Sequence, residues 1–575
     1  MPRDLTLAIE KAYTERTDLL VLALTGRTGS GCTTTATALT KNIDDLSVTM
    51  AGLSQIEIRK LEICKSYAKN RWVPFKALTI STIIFSFLLQ EDRNHVKEFL
   101  NSLIKGQKAS QAVETICDHI EKLRNDLLYE AFSKLVGLEH DQHFAADAWQ
   151  FYAGPLSASF SELRTALSSA TYASTFQTFG DNIRKSGSAI SDAVDPEQVF
   201  TLITRVKRLA KAAWRHDRRI GIGSTRVVID AVRNPLELVY LRDQFAAFFA
   251  LAVTANEDHR QSRLAESGMA KRDIEILDKR EYSKKSLGSY DSFVSQNLQE
   301  CIQKSDLFIH NNGKPDEIEL NRPLLHQQLI RYVALILRPG LVTPTADERC
   351  MQLAFVAKLN SGCISRQVGA AITDSSCSIK AVGWNDVPRG QVSCLLRDVN
   401  TLLNSRDDVA FSYYESTDKA FRTHVASEFA NSNPMKVSTG LNCPYCFKDA
   451  YNAVTKKDNQ VHTRALHAEE NAFLQLAKHG NSGIVGGQLY TTASPCELCS
   501  KKAYQLGITE IIYVDPYTGI SSIHILAVGA EANRPKLRLF GGAVGNAYHR
   551  LYESVLPIKD EFKARLMDDP PPTLL

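Results

Sequence analysis

The stretch "RALHAEENAFLQLAKHG" is followed at short range by "GGQLYTTASPCELCSKKAYQLGI", setting His467 and Glu469 against a Pro495-Cys496-x-x-Cys499 turn. One imidazole and two thiolates are three good ligands for Zn²⁺, and a three-ligand site leaves a fourth position open for water, as catalysis requires. To share one ion, two separate segments must meet at a point. Helical periodicity after His467 and after Cys496 puts both at helix N-termini, and Gln488 to Thr492 is expected to form a strand between them. Alone, the histidine reads as structural and the C-x-x-C as a redox pair or a zinc knuckle. The proline before Cys496 and the glutamate two residues after His467 tie the halves together.

Jointly these residues match the H-x-E…P-C-x-x-C signature of zinc nucleobase deaminases. The resemblance implies a bound water activated near neutral pH that attacks C4 of cytosine, or C6 if the base were adenine. Glu469 then stays off the metal and moves protons, first to the ring nitrogen and then to the departing amine.

Upstream, "RCMQLAFVAKLNSGCISRQVGAAITDSSCSIKAVGWNDVPRG", Arg349 to Gly390, resembles the N-terminal half of deoxycytidylate deaminases. Those proteins carry a helix, an S-x-x-VGA strand and a G-[YW]-N-x-x-P-x-G turn before the histidine, and the likeness runs from Thr343 to Tyr552. It implies that Asn385 holds the deoxyribose, with Arg366 and Arg389 as phosphate contacts through charge-assisted hydrogen bonds. An exposed surface charge is the plain alternative for each arginine. A tRNA adenosine deaminase shares the zinc signature but generally lacks such a turn, and free-nucleoside cytidine deaminases usually have cysteine where His467 stands.

Eight of the twelve cysteines lie from Cys350 onward, a clustering that points to metal. Phage-type deoxycytidylate deaminases carry a second, structural metal, and Cys363 and Cys394 match two of its positions. Cys443 and Cys446 are expected to complete a closed four-cysteine Zn²⁺ site, with His462 as a further ligand. Buried free thiols are the alternative. A redox reading of Cys443-Pro-Tyr-Cys446 needs a thioredoxin fold, for which the surrounding pattern leaves no room.

The N-terminal part opens differently. In "LTGRTGSGCTTTA" the residues Gly26, Gly31 and Thr33 fall on the phosphate-loop pattern G-x-x-x-x-G-K-[ST], but Cys32 stands where the lysine belongs. The expected nucleotide-binding set is Gly26, Arg27, Thr28, Gly29, Ser30, Gly31, Cys32 and Thr33, with Asp230. Leu19 to Leu24 is a short apolar run of the kind a buried parallel strand shows, and Thr33 to Lys41 reads as the helix after the loop. "VVIDAVRNP" is expected to form a second strand, Thr225 to Ile229, ending at Asp230, where a turn residue is the plain alternative. With Arg260 and Arg263 it resembles the second strand and lid of nucleotide and dephospho-coenzyme A kinases, which implies Mg²⁺ on the carboxylate and arginines on the transferring phosphates. Without the lysine, backbone amides still hold an anion, but a moving phosphoryl group is poorly stabilised. The loop is expected to bind better than it catalyses.

At 575 residues the chain should hold several domains. The boundaries expected are 1–320 for a P-loop kinase-like, regulatory parallel-sheet domain, 321–342 for a connecting helix, 343–556 for a three-layer α/β/α cytidine-deaminase-like domain and 557–575 for a tail. Between the first two strands lies a mostly helical region that includes Ala109 to Phe132. A last strand, Leu307 to His310, precedes the turn formers Asn311 to Pro315. With 68 basic against 64 acidic residues, no polyanion-binding surface is announced. The longest apolar run, Ile80 to Leu89, is too short to span a bilayer, and no secretory signal is read at the N-terminus. A cytoplasmic protein without a membrane partner is expected.

A degenerate P-loop unit joined to a deoxycytidylate-deaminase unit resembles the bacterial anti-phage dCTP deaminases. The resemblance implies conversion of dCTP, and of dCMP, to deoxyuridine nucleotides, which depletes the dCTP that phage replication needs. It also implies a homo-oligomer and a repressor that keeps the enzyme quiet before infection. Two alternatives stay open: a bifunctional nucleotide kinase and deaminase, and a deaminase acting on cytosine or adenine in a polynucleotide.

Overall fold

The computed structural model describes residues 2–104, 109–137, 144–282, 290–459, 461–480, 483–515 and 521–568. It divides into two compact units, Met1–Thr343 with Asn546–Leu575, and Pro344–Gly545. No helix among the described residues is long and apolar enough to cross a membrane.

In the first unit, β1 (Leu19–Thr25), β2 (Lys76–Thr79), β3 (Thr225–Asp230), β4 (Ala247–Thr254) and β5 (Leu307–His310) lie in the order β5-β4-β1-β3-β2, all parallel. β1 is central, pairing Val21 with Val227 on one side and Phe248 on the other. Strands covered on both faces read as continuous apolar runs, as LLVLALT and AFFALAVT do. The sequence reading did not single out β4, because a short apolar run has no periodicity to separate strand from buried helix. Ile80 to Leu88 is such a helix, with Ile83, Phe85 and Leu88 fully enclosed. The amphipathic stretch expected over Ala109 to Phe132 is two helices, Ala109–Arg124 and Tyr129–Val136. They separate where the Asp126 carboxylate accepts from the Leu128 N–H at 2.8 Å in place of a helical carbonyl.

The boundaries differ from those expected. The connecting helix is Ile318–Leu337, and it groups with the first unit up to Thr343. Residues 546–575 also group there. The reason is ion pairing and hydrogen bonding at the chain end: Glu561 accepts from Tyr13 at 3.0 Å and from Arg338 at 2.6 Å, and Arg565 reaches Glu10 at 2.8 Å.

In the second unit, β6 (Gly369–Thr373), β7 (Ile379–Trp384), β8 (Gln488–Ala493), β9 (Glu510–Asp515) and β10 (Lys536–Leu539) are ordered β10-β9-β8-β6-β7. β6 runs antiparallel to both its neighbours, and β8, β9 and β10 are mutually parallel. Ala370 and Ile372 of β6 pack with Ala468, Ala472 and Phe473 of helix Ala468–His479. On the other face of β6, a Cβ on Gly369 would meet the Ala354 carbonyl of helix Ala346–Ala357 at 1.9 Å. Helices thus cover both faces of the sheet. Between β7 and His467 an insertion of short helices has its own core of Val399, Leu402, Phe411, Phe421, Val425 and Tyr445.

Candidate active site

His467 and Cys496 are the N-caps of helices Ala468–His479 and Glu497–Gln505, both in extended backbone conformation. An N-cap side chain projects over the open first turn, and Cys499 lies one turn into its helix, so both sulfurs point to the same place. Strand β8 fixes the two helix starts. Cys496 Sγ lies 3.3 Å and Cys499 Sγ 3.5 Å from His467 Nδ1. Among the described residues these three are the group of His, Cys, Asp or Glu ligand atoms that all lie within 4.8 Å of one another. Ligands about 2.0–2.3 Å from a tetrahedral ion stand roughly 3.6 Å apart, so this donor set fits Zn²⁺.

The thiols are not equivalent. A hydrogen bond from Cys499, against the opposing effect of burial, brings the Cys496 thiol down to about 4, whereas the hydrogen bond to Cys496 and burial push Cys499 up. His467 is raised by its hydrogen bond to Cys496. Glu469, on the first turn of its helix and 4 % exposed, is raised by burial. Its Oε1 lies 3.0 Å from Thr491 Oγ1 on β8, a contact that sequence reasoning missed. The only signal was a pair of threonines inside an apolar strand.

The turn after β7 is tied to the same helix. Leu466 donates its N–H to the Asp386 carbonyl at 2.8 Å, and the Asn471 amide donates to the Trp384 carbonyl at 2.9 Å. Asn385 thereby stands beside His467, but its amide is engaged: Nδ2 donates to the Arg366 carbonyl and Oδ1 accepts from the Val368 N–H, each at 2.6 Å. Arg366 forms an ion pair with the buried carboxylate of Asp515, and Arg389 is exposed on the turn. Asp515 accepts the N–H of Ser494 at its carbonyl, 2.9 Å away, which links this pair to the segment before Cys496.

The four cysteines expected to bind a second ion are neighbours but not a ligating group. Leu395 donates to the Gly362 carbonyl at 2.9 Å, bringing the Cys363 and Cys394 segments together, while the Cys446 sulfur takes a hydrogen bond from Ser365 at 3.4 Å. The Cys443 carbonyl accepts from Val399 at 3.0 Å, and His462 packs against the Tyr451 ring.

In the first unit, Gly26 to Thr33 turn from β1 into helix Cys32–Leu39. Gly31 has φ +101°, a backbone conformation that favours glycine, and a Cβ there would also displace the Asn311 amide, 1.9 Å away. Thr33 Oγ1 donates to Asp230 Oδ2 at 2.8 Å, bringing loop and β3 carboxylate together. Burial and the nearby Asp230 push the Cys32 thiol up to about 12, so at the lysine position the loop carries no charge. Arg260 is committed to Glu257, Asp278 and the Thr28 carbonyl, and Arg263 to the carbonyls of Asn311 and Gly313. The carboxylate of Glu281 accepts from the Thr28 N–H at 3.2 Å.

The sequence profile of the cytidine and deoxycytidylate deaminase zinc-binding region matches residues 344–515, within the second unit. A probable deoxycytidylate deaminase of Drosophila melanogaster is 31 % identical over 194 residues, which are 33 % of this chain and 71 % of the fly protein. The chain belongs to the cytidine and deoxycytidylate deaminase family. The deoxycytidylate deaminase of Enterobacteria phage T2 is 28 % identical over 172 residues, 29 % of this chain and 78 % of the phage protein. That of Schizosaccharomyces pombe is 28 % identical over 185 residues, 32 % of this chain, and the chain spans 41 % of the yeast protein's length. His467, Glu469, Cys496 and Cys499 all fall inside the region that this deaminase family shares, which is the zinc-binding region of hydrolytic enzymes.

Proposed function

We propose that the second unit hydrolyses the exocyclic amine of deoxycytidine nucleotides, dCTP and dCMP, giving deoxyuridine nucleotides and ammonia. The observation that carries the reading is the convergence of His467, Cys496 and Cys499 beside the buried carboxylate of Glu469. The three ligands would hold Zn²⁺, which when bound makes a water acidic enough to attack near neutral pH. Glu469 accepts a proton from the attacking water, passes it to N3 of the ring as C4 becomes tetrahedral, and delivers the second to the departing amine. Its raised pKa suits it to both halves of that task. Thr491 holds the carboxyl in place, and the links from Trp384 and Asp386 fix the helix that carries it.

The likeness to bacterial anti-phage dCTP deaminases extends the reading: the chain depletes dCTP on infection, as a homo-oligomer restrained by a repressor until then. In this reading the first unit regulates. Its loop binds a nucleotide, with Thr33 and Asp230 available for Mg²⁺, and a neutral Cys32 together with committed lid arginines favours binding over phosphoryl transfer.

Incubating zinc-loaded protein with dCTP, dCMP and a single-stranded oligonucleotide, and following ammonia release, tests the substrate class. Release from the free nucleotides is expected. Release from the oligonucleotide alone would move the chain to the polynucleotide class. Glu469→Ala should lower the rate by roughly 10²–10⁴-fold with its metal content intact, because the carboxylate handles only protons.

A further inference from the structure

A cavity of about 480 Å³ opens beside the Gly26–Thr33 loop of the first unit. That volume lies within the roughly 300–1,000 Å³ typical of small-molecule sites. Its two ends differ in chemistry. Helix Ser169–Ser186 presents Tyr172, Phe176, Gly180 and Arg184, four residues apart and so on one face, with Gln177 beside them. The Tyr172 and Phe176 ring centroids are 5.0 Å apart. Gly180 lets this face approach the opposite wall, since a Cβ there would stand 3.2 Å from Ile84 Cδ1. At the other end are Thr33, Asp230 and the first-turn amides of helix Cys32–Leu39, which have no carbonyl partner inside their own helix.

The charges at the polar end are unequally matched. Arg27, Arg184 and Arg233 line the cavity but are each paired with a carboxylate, from Glu257, Glu237 and Glu281 respectively. Arg164 and Arg263 also line it, and among the described residues neither has a salt bridge to a carboxylate. Arg263 spends its N–H groups on carbonyl oxygens, which leave its charge in place. Asp230, the one carboxylate among the lining residues, offsets one of these two charges, and the end that remains net cationic adjoins the positive end of a helix, which attracts an anion. At the ring end, the Gln177 amide has no hydrogen-bond partner among the described residues and so offers a donor and an acceptor next to two aromatic faces. Arg164 bridges the two ends, its guanidinium 5.2 Å from the Tyr172 ring.

One occupant meets both demands: a flat aromatic group with a polar edge, joined to an anion. We propose that this cavity binds a nucleoside 5′-phosphate, with the base against Tyr172 and Phe176, its edge read by Gln177, and the phosphate toward the loop amides and Arg164. The proposal rests on the reading of the first unit as nucleotide-binding and is independent of the deaminase chemistry. The loop then holds the phosphate of the same molecule whose base lies under helix Ser169–Ser186, and the neutral Cys32 suits a single phosphate better than a chain of three.

Calorimetric titration of the full-length, zinc-loaded Glu469→Ala protein, in which turnover should be slowed by roughly 10²–10⁴-fold, is the test. The probes are the ribo- and deoxyribonucleoside 5′-monophosphates, the corresponding nucleosides and inorganic phosphate. At least one monophosphate should bind in a one-to-one component that Gln177→Leu or Arg164→Gln weakens by about ten-fold or more. Its nucleoside and inorganic phosphate should each bind more weakly than the whole. Gly180→Leu, which fills the cavity, should abolish the component, and Gln177→Leu decides the matter if that variant does not fold. Binding that neither Gln177→Leu nor Arg164→Gln alters, no binding by any monophosphate, or equal binding of inorganic phosphate and mononucleotide would overturn the proposal. Ammonia release by the unsubstituted protein is scored separately, so failure here and failure of the deaminase reading are told apart.

Discussion

The Thr491 hydroxyl oxygen lies 3.0 Å from Glu469 Oε1 and 2.9 Å from the carbonyl of Ala493. A hydroxyl has one hydrogen and cannot donate to both. When the carboxyl is ionised, Thr491 donates to it. When Glu469 carries a proton, it can donate to Thr491, whose own hydrogen then turns to Ala493. Thr491→Val keeps the shape of the strand and removes both arrangements. The expected result is a fall in kcat of roughly ten- to a hundred-fold with zinc content unchanged. An unaltered kcat would show that burial alone positions the carboxylate.

Gly383 is where β7 meets helix Ala468–His479. A Cβ at this position would stand 2.3 Å from the Ala468 carbonyl and 2.5 Å from the Ala472 nitrogen. Gly383→Ala must push the helix away, at a cost of about 1–3 kcal/mol, and must move His467 and Glu469 with it. Thermal unfolding should show the loss of stability. Zinc affinity and deamination should fall together, and full activity at lowered stability would mean that the helix shifts without carrying the site.

Glu415 anchors the insertion between β7 and His467. It forms a buried ion pair with Arg397, accepts from Tyr445 at 2.6 Å and meets Arg464, three residues before His467, at 3.1 Å. Burial works to raise this carboxyl, but the Arg397 charge and the hydrogen bonds to it prevail and hold it below its ordinary range. A lowered carboxyl contributes stability that is present above its unfolded value, about 4.3, and is lost as pH falls through its folded value. Protection from hydrogen exchange over residues 397–464, taken relative to the intrinsic exchange rate at each pH, should therefore fall below about pH 4.3. Glu415→Gln should remove most of that acid dependence while costing about 3–5 kcal/mol at neutral pH. An identical acid profile in the variant would place the response elsewhere.

The geometry gathers one set of metal ligands among the described residues. Metal analysis of purified protein should give close to one zinc per chain, and Cys443→Ser should leave that value unchanged. Two ions per chain, with one lost in Cys443→Ser, would show that Cys363, Cys394, Cys443 and Cys446 close on a second ion.

The cluster of His467, Cys496 and Cys499 was legible in the sequence because its chemistry is local. Metal binding dictates residue types, and a proline, an adjacent helix start and a three-residue spacing are all written within a few positions of His467 and Cys496. The strand and glycine turn before Cys32 were legible for the same reason, since a buried apolar run followed by glycines leaves few conformations. Asn385 and Arg366 could be placed beside the site by likeness, but only the fold decided what their polar atoms do. The Asn385 amide is spent on its neighbours' backbone, and Arg366 on an aspartate at the end of β9. Tertiary structure likewise left the four other cysteines outside the one group of three or more ligand atoms gathered within 4.8 Å among the described residues, joined residues 546–575 to the first unit and opened the cavity between the Gly26–Thr33 loop and helix Ser169–Ser186. Each of these depends on contacts between segments distant in the chain. The periodicity and spacing of a sequence report the face a residue presents, and packing alone settles what meets it there.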